Sequence, residues 1–372
     1  MKNKVIIGFF LCFIGGIGLM HFITKDVDFS ERENRMLTQM PQFSFKNFVS
    51  GDFTKDFEEY VTDQFVWKGF WTGMKANAET LTLKKENNGV FLGNDGYLLE
   101  RFERPEEQLQ RNIDSLKYFS NKAKNSKAYF LLVPTSVEVY PDKLPLYAEL
   151  YSQREIITST DNQLNQSMPL INVTEKLMRK KDEPIYFRTD HHWTMRGAYY
   201  AYREVAKAMG FIPYEIDDFN IEEVSADFYG TFYTKANAPR YKPDKIEVFK
   251  PRFEVKYDVE YVDEGKSTTA LYEPNFLSKR DQYSYFLNGN HSLVKISSTI
   301  KNGRKLAVIK DSYAHALIPF LVNHFEEVHV MDLRYYHMNP YKYLADHQIN
   351  DVLFLYNVAN FSKDTNLIWL KQ

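Results

Sequence analysis

Asp190, His191, His192 and Trp193 stand in a row within YFRTDHHWTMRGAYY, residues 186–200. Such a run is costly to bury and unnecessary on a surface. Histidine is the usual side-chain base near neutral pH, and a neighbouring carboxylate can fix its tautomer. The missing partner is a nucleophile. Ser312, in KLAVIKDSYAHALIPF, follows a strand-like run at 305–310 and opens a helical pattern. A serine on such a turn exposes its hydroxyl, and the next backbone N–H, that of Tyr313, can meet an oxyanion. A serine hydroxyl is a weak nucleophile until a base takes its proton. In an extended segment residues i and i+2 share a side, so Asp190 is expected to face His192 while His191 points away. The chemistry is then acyl transfer, with Ser312 as nucleophile, His192 as base and Asp190 orienting it. His191 and Trp193 support them from the opposite face.

Two other readings use the same residues. Asp190, His191 and His192, with His315 or His337, offer oxygen and nitrogen ligands for a metal-dependent hydrolase. Against this, neighbouring histidines diverge on an extended segment, and no H-E-x-x-H spacing occurs. In the other, Asp311 or Ser312 merely caps a helix over 313–325.

These side chains need a scaffold that brings distant segments together. The last third reads as strand 305–310, a helix, strand EEVHVMDL, helix PYKYLADHQI and strand DVLFLYN. That order predicts a parallel sheet with helices on both faces, with reactive groups at the strands' carboxyl ends. A buried strand at 128–135 follows a polar helix over 105–125. Thr135, Ser136 and Lys143 lie beyond that strand and are candidates to line a cleft. Further helices are expected at 153–167 and from Thr194 to Gly210, and a hairpin around Asn94-Asp95-Gly96. Residues 211–300 alternate and are rich in loops, which predicts a β-rich insertion. The fold class is α/β.

The N-terminus carries Lys2 and Lys4, then VIIGFFLCFIGGIGLMHFI at 5–23 without a charge. About 19 helical residues span about 28 Å, close to a bilayer's hydrocarbon core. The basic start predicts a cytoplasmic end and an extracytoplasmic remainder. No A-x-A-like site follows, so an uncleaved single-pass anchor is expected over 1–25. A stalk and helical lead-in would occupy 26–88, with Phe53, Phe57, Tyr60 and Phe65 at helical intervals, and one catalytic domain 89–372. Cys12, inside the apolar run, is the only cysteine. The remainder therefore has no disulfide and no cysteine metal site. With 47 Lys+Arg against 49 Asp+Glu, charge gives no reason to expect nucleic acid. No cofactor is expected.

The D-H-H-W string, followed by Thr194 and a helix with Gly197-Ala198, resembles the signature of the DHHW proteins. These sit with the alginate O-acetylation proteins in the SGNH hydrolase-like superfamily. SERENR (30–35), GVFLGNDGYLL (89–99), FYGTFY (228–233) and MDLRYY (331–336) are similar to further family blocks in family order. The resemblance implies an SGNH-like fold in which the acid and second histidine pair with the serine of a D-S-[YF] turn, matching Asp190, His192 and Ser312. It implies an oxyanion hole with an asparagine after the last strand, Asn360 by preference or Asn357. The glycine expected after the strand before it is absent, and Arg334, Tyr335 and Tyr336 stand there instead. Gly230 is a further candidate for close approach to substrate. It also implies a carbohydrate O-acetyltransferase or acetylesterase that acts on an extracellular polysaccharide and takes its acyl group from a membrane-bound O-acyltransferase. A non-catalytic glycan-binding scaffold is the remaining alternative.

Overall fold

The structure, a computed structural model, describes residues 2–30, 35–81, 84–164, 167–237 and 241–371. The chain divides into two units, Met1–Asn87 with Asn237–Arg240, and Asn88–Ala236 with Tyr241–Gln372. The candidate chemistry lies in the second.

Apolar β-formers build its central sheet. In chain order the strands are β1 Lys127–Val133, β2 Leu170–Asn172, β3 Tyr257–Tyr261, β4 Lys266–Thr268, β5 Leu293–Ser298, β6 Lys305–Lys310, β7 Glu327–Met331 and β8 Asp351–Asn357. Across the sheet they run β4-β3-β5-β7-β6-β8-β1-β2. From β7 to β2 every pairing is parallel, while β5, β3 and β4 add antiparallel strands at one side. Val308 on β6 lies opposite Val330 on one side and Leu353 on the other.

Strand side chains alternate between two faces, and here both faces are buried. Leu131, Leu306, Val308 and Leu353 enter one core, with Ala198, Ala201 and Val205 of helix Met195–Met209. Phe130, Ala307, Ile309 and Phe354 enter the other, with Ile113, Leu116 and Phe119 of helix Glu107–Lys122 and Ile157 of helix Gln153–Leu164. Helices thus cover both faces of a mixed α/β sheet. The expected continuation of the 153–167 helix falls partly on residues 165–166, outside the described ones.

The 211–300 segment is built of antiparallel strands and loops, while one expectation elsewhere changes. Phe219–Phe228 and Asp244–Pro251 form their own antiparallel ladder with bulges, but β3, β4 and β5 extend the main sheet. Both faces of β5 are covered, so pairing with β7 buries Leu293, Val294 and Ile296 together. The single helix expected over 313–325 is a 3₁₀ turn, Ser312–Ala316, then a short α-helix, Ile318–Leu321. Pro319 has no N–H to give and its ring conflicts with the carbonyl four residues earlier, so the helix restarts there.

The hairpin signal is realised by Val90–Leu92 and Leu98–Glu100, antiparallel around Asn94–Gly96. Asp95 and Gly96 take positive φ, 55° and 80°, as residue types that tolerate the left-handed region.

In the first unit, helix Lys2–Ile23 is long and apolar enough to cross a bilayer. Shorter helices follow at Phe45–Ser50, Asp52–Gln64 and Lys68–Leu81. Phe53, Phe57 and Tyr60 share Asp52–Gln64 at successive ring spacings of 6.0 Å, while Phe65 lies just past its end. Most of the SERENR block, residues 31–34, lies outside the described residues.

Candidate active site

β6, β8 and β1 are neighbours and parallel, so their carboxyl ends open on one edge of the sheet. Lys310, Asp311 and Ser312 leave β6 there. Asn357 ends β8, and Thr135 follows β1. A cleft of about 370 Å³ lies along this edge, with Ser312, His191, Thr231, Arg334, Asn357 and Asn360 in its lining.

The D-H-H-W segment reaches this edge as a tight loop, not an extended strand. Tyr186 and Trp193 form an isolated antiparallel bridge, and the Phe187 N–H donates to the His192 carbonyl at 3.2 Å. The Asp244 carboxylate clamps the loop's first half. It accepts from the Arg188 and Thr189 amides at 3.0 and 2.8 Å and from the Thr189 hydroxyl at 2.6 Å. Thr194 then caps helix Met195–Met209, accepting from the Gly197 amide at 3.2 Å. A Cβ on Gly197 would meet the Ile185 carbonyl oxygen at 2.2 Å, so glycine lets the helix start close against the loop.

Within the loop His192 Nδ1 lies 2.6 Å from Asp190 Oδ1, and its Nε2 lies 2.7 Å from Ser312 Oγ. Asp190 Oδ1 also accepts the His192 amide at 3.0 Å. Its Oδ2 accepts from the Thr231 amide at 2.7 Å and the Thr231 hydroxyl at 3.1 Å. Burial works against the Asp190 carboxylate, yet the two histidines and the Thr231 amide hold it well below the usual range. Burial and the adjacent His191 push the His192 imidazole down to about 4, against the pull of Asp190. The ring is therefore neutral at pH 7. With Asp190 accepting at Nδ1, its Nε2 lone pair faces the serine hydroxyl.

Trp193 and Tyr313 tie the loop to the serine turn. The indole N–H donates to the Tyr313 carbonyl at 2.8 Å, and the Tyr313 hydroxyl donates to the His191 carbonyl. The Tyr283 ring stacks on His192, centroids 3.6 Å apart and nearly parallel, while its hydroxyl reaches the Ser312 carbonyl at 3.2 Å.

Several sequence expectations need correction. His191 does not point away: the loop turns, its ring lies 3.7 Å from that of His192, and it lines the cleft. The ligating atoms of Asp190, His191 and His192 all lie within 4.8 Å of one another, so these residues have the donors for a metal ion. His315 and His337 are employed elsewhere. His315 Nε2 is 2.8 Å from the Lys310 ammonium, and His337 packs against Trp369. The Tyr313 amide is not open to an oxyanion, because it donates to Asp311 Oδ1 at 2.9 Å. Gly230 packs against Asp190 and is not part of the cleft lining. A Cβ there would sit 2.1 Å from the Asp190 Cβ, so this glycine lets Thr231 reach the carboxylate.

Asn357 and Asn360 both line the cleft and both donate to Asp311 Oδ2, at 2.8 and 3.3 Å. Arg334 also lines it, pinned by Asp332 at 2.8 and 2.5 Å and by Asn290 at 2.8 Å. Tyr335 is 53% exposed, beside the Arg334 guanidinium and outside the cleft lining. Thr135 is in the lining, Ser136 is buried, and Lys143 pairs with Asp95 at 2.7 Å.

Sequence reasoning missed Tyr283, Thr231, Asp244 and the role of Asp311. Tyr283 and Asp244 arrive from the loop-rich middle of the chain, where no local pattern marks them. Thr231 sits inside the FYGTFY block, next to the glycine that was singled out. Asp311, beside Ser312, accepts from Tyr313, Asn357 and Asn360, and burial pushes it up to about 6 against those donors.

Comparison with known proteins places the chain in a family. A sequence model of the DHHW protein family matches residues 113–331. The probable alginate O-acetylase AlgJ of Pseudomonas syringae pv. tomato is 25% identical over 187 residues, 45% of this chain and 47% of its own. The AlgJ of Pseudomonas fluorescens is 25% identical over 174 residues, 43% of each chain. The chain thus spans about half the length of the curated relatives it matches. A DHHW family protein from Eubacterium siraeum superposes with TM-score 0.67 at 26% identity, covering 77% of this chain and 96% of that one. Bacillus cereus PatB1 gives 0.63 at 23%, covering 75% and 97%. With the match spanning more than half its length, the chain belongs to the DHHW family.

Proposed function

We propose that this protein is an SGNH-type carbohydrate O-acetyltransferase or acetylesterase working through Ser312, His192 and Asp190. The observation that carries it is the unbroken hydrogen-bonded line from Asp190 through His192 to Ser312, 2.6 and 2.7 Å, at the edge of an open cleft. Ser312 attacks the acetyl carbonyl and His192 takes the serine proton. Asp190 stabilises the imidazolium that results. Asn360 is the proposed side-chain donor to the oxyanion: its bond to Asp311 is long, and the amide has a second N–H. The Ser312 amide, which donates to no partner among the described residues, is the second. The AlgJ relatives supply the reaction class, O-acetylation of a polysaccharide.

In this reading residues 1–25 anchor the chain, 26–88 are a lead-in and 89–372 form the catalytic domain outside the cell membrane. An extracellular polysaccharide is the acceptor, and a membrane-bound O-acyltransferase supplies the acyl group. The test uses a small acetyl ester. Ser312→Ala is expected to abolish turnover with an unchanged circular dichroism spectrum, and mass spectrometry of the quenched wild type should find acetyl on the peptide containing Ser312. Equal turnover in the variant would end the serine reading. The cluster Asp190, His191 and His192 supports a second reading, a metal-dependent hydrolase, in which a chelator removes activity and zinc restores it.

A further inference from the structure

His191 is the one polar side chain of the D-H-H-W loop that the proposed reaction leaves without a task. Its surroundings fix it closely. Asp190 Oδ2, an ionised carboxylate oxygen, can only accept, so the Thr231 hydroxyl 3.1 Å away donates to it. That hydroxyl has one proton. Toward His191 Nδ1, at 2.7 Å, it must therefore accept, which puts a proton on Nδ1. In the neutral ring the other nitrogen, Nε2, is then an acceptor. No partner for Nε2 occurs among the described residues, and the ring is part of the cleft wall beside Ser312. The backbone cannot easily turn it away, because the Tyr313 hydroxyl holds the His191 carbonyl. Two imidazoles with centroids 3.7 Å apart thus present two Nε2 atoms at the cleft, one bonded to the nucleophile and one free.

We propose that His191 Nε2 binds the hydroxyl adjacent to the one being acylated, so that the site selects acceptors carrying neighbouring hydroxyls, as sugar rings do. The proposal rests on the serine reading above. In deacylation the reacting hydroxyl gives its proton to His192 Nε2 as its oxygen bonds to the acyl carbon. The carbon–Oγ bond then breaks, and His192 returns the proton to Ser312. The adjacent hydroxyl meanwhile donates to His191 and keeps its own proton. One hydrogen bond made by the diol and not by a mono-alcohol is worth about a two- to twelvefold preference.

The experiment acylates the full-length protein with a small acetyl ester and offers it, in competition, a vicinal diol sugar and its deoxy analogue lacking the neighbouring hydroxyl. The readout is the ratio of the two acetylated products, which a general loss of activity leaves unaltered. The wild type should favour the diol, His191→Phe should bring the ratio close to one, and His191→Gln, which restores an acceptor oxygen, should recover part of it. A ratio unchanged in His191→Phe, or near one in the wild type, overturns the proposal while the serine reading stands. Failure of the wild type to form any acyl-enzyme overturns both. Should His191→Phe not fold, His191→Ala gives the same ratio, read in the same way.

Discussion

In the proposed reaction His192 must be neutral before it can act, and its surroundings arrange this. Burial and His191 hold the imidazole near 4, below the value of about 6.5 for a free histidine. Protonation removes the base, so kcat/KM for a small ester should rise with pH through a limb centred near 4. A pH profile from 3.5 to 8 checks this, and a limb near 6.5 would show that the ring is not desolvated as described. Gly230 makes a second demand at the same scale. With a Cβ placed 2.1 Å from that of Asp190, Gly230→Ala forces the loop or the carboxylate to move. Overpacking of this kind costs about 1–3 kcal/mol. The variant should melt lower and, because the displaced group is the one orienting His192, lose activity more than tenfold. That Asp190, His192 and Ser312 meet was legible from residue types together with the family resemblance, while types and spacing alone left a plain helix cap open at Ser312. The packing of Gly230 and the stacking of Tyr283 were not, because both are made by contacts between segments far apart in sequence.

The element that most needs support is the loop from Phe187 to His192, since its backbone turns within a few residues. Asp244 supplies that support with four accepted hydrogen bonds while itself buried. Asp244→Ala would leave buried donors on Arg188 and Thr189 without partners, at a cost of roughly 2–4 kcal/mol. The midpoint of urea unfolding should fall accordingly, with activity reduced even where the fold persists, because the loop carries both Asp190 and His192. A midpoint shifted by less than half a kcal/mol would show that water replaces the clamp. Strands β1, β6, β7 and β8 could be read directly, as short apolar runs bounded by turn residues. The D-H-H-W loop was misread as extended because nothing local announces the Tyr186–Trp193 bridge that folds it back. The helix after Ser312 was overextended across Pro319, although proline itself marks where an α-helix must restart.

Across the whole molecule, several titratable groups sit where folding has moved them from their ordinary values, and their sum sets how the protein responds to acid. His192, His324 and His329 are each held at about 4, burial being the largest cause in every case. In the unfolded chain each would take up a proton near 6.5. Between pH 6.5 and 4 the unfolded state therefore binds more protons at these three sites, and stability rises with pH. Asp311 works the other way: raised to about 6, it holds a proton in the folded state that the unfolded chain has released until near 3.9. Its contribution is fully present below about 3.9 and is lost as pH rises through 6. Burial pushes His315 down in the same sense and the Asp244 carboxyl up, so near pH 5 four histidines stand against two carboxyls and the unfolded chain binds more protons at these sites. The groups lie at the sheet's edge, beyond the Ile318–Leu321 helix and on β7, so no local opening releases them all. Unfolding free energies from urea titrations should fall steeply from pH 6.5 to 4.5 and stay nearly flat from 7 to 8. Replacing His329 by Gln should reduce the slope near pH 5 by about 1 kcal/mol per pH unit, since it removes about one of the excess protons. An unchanged slope would mean that His329 stays uncharged in the unfolded chain as well, or charges freely in the folded one.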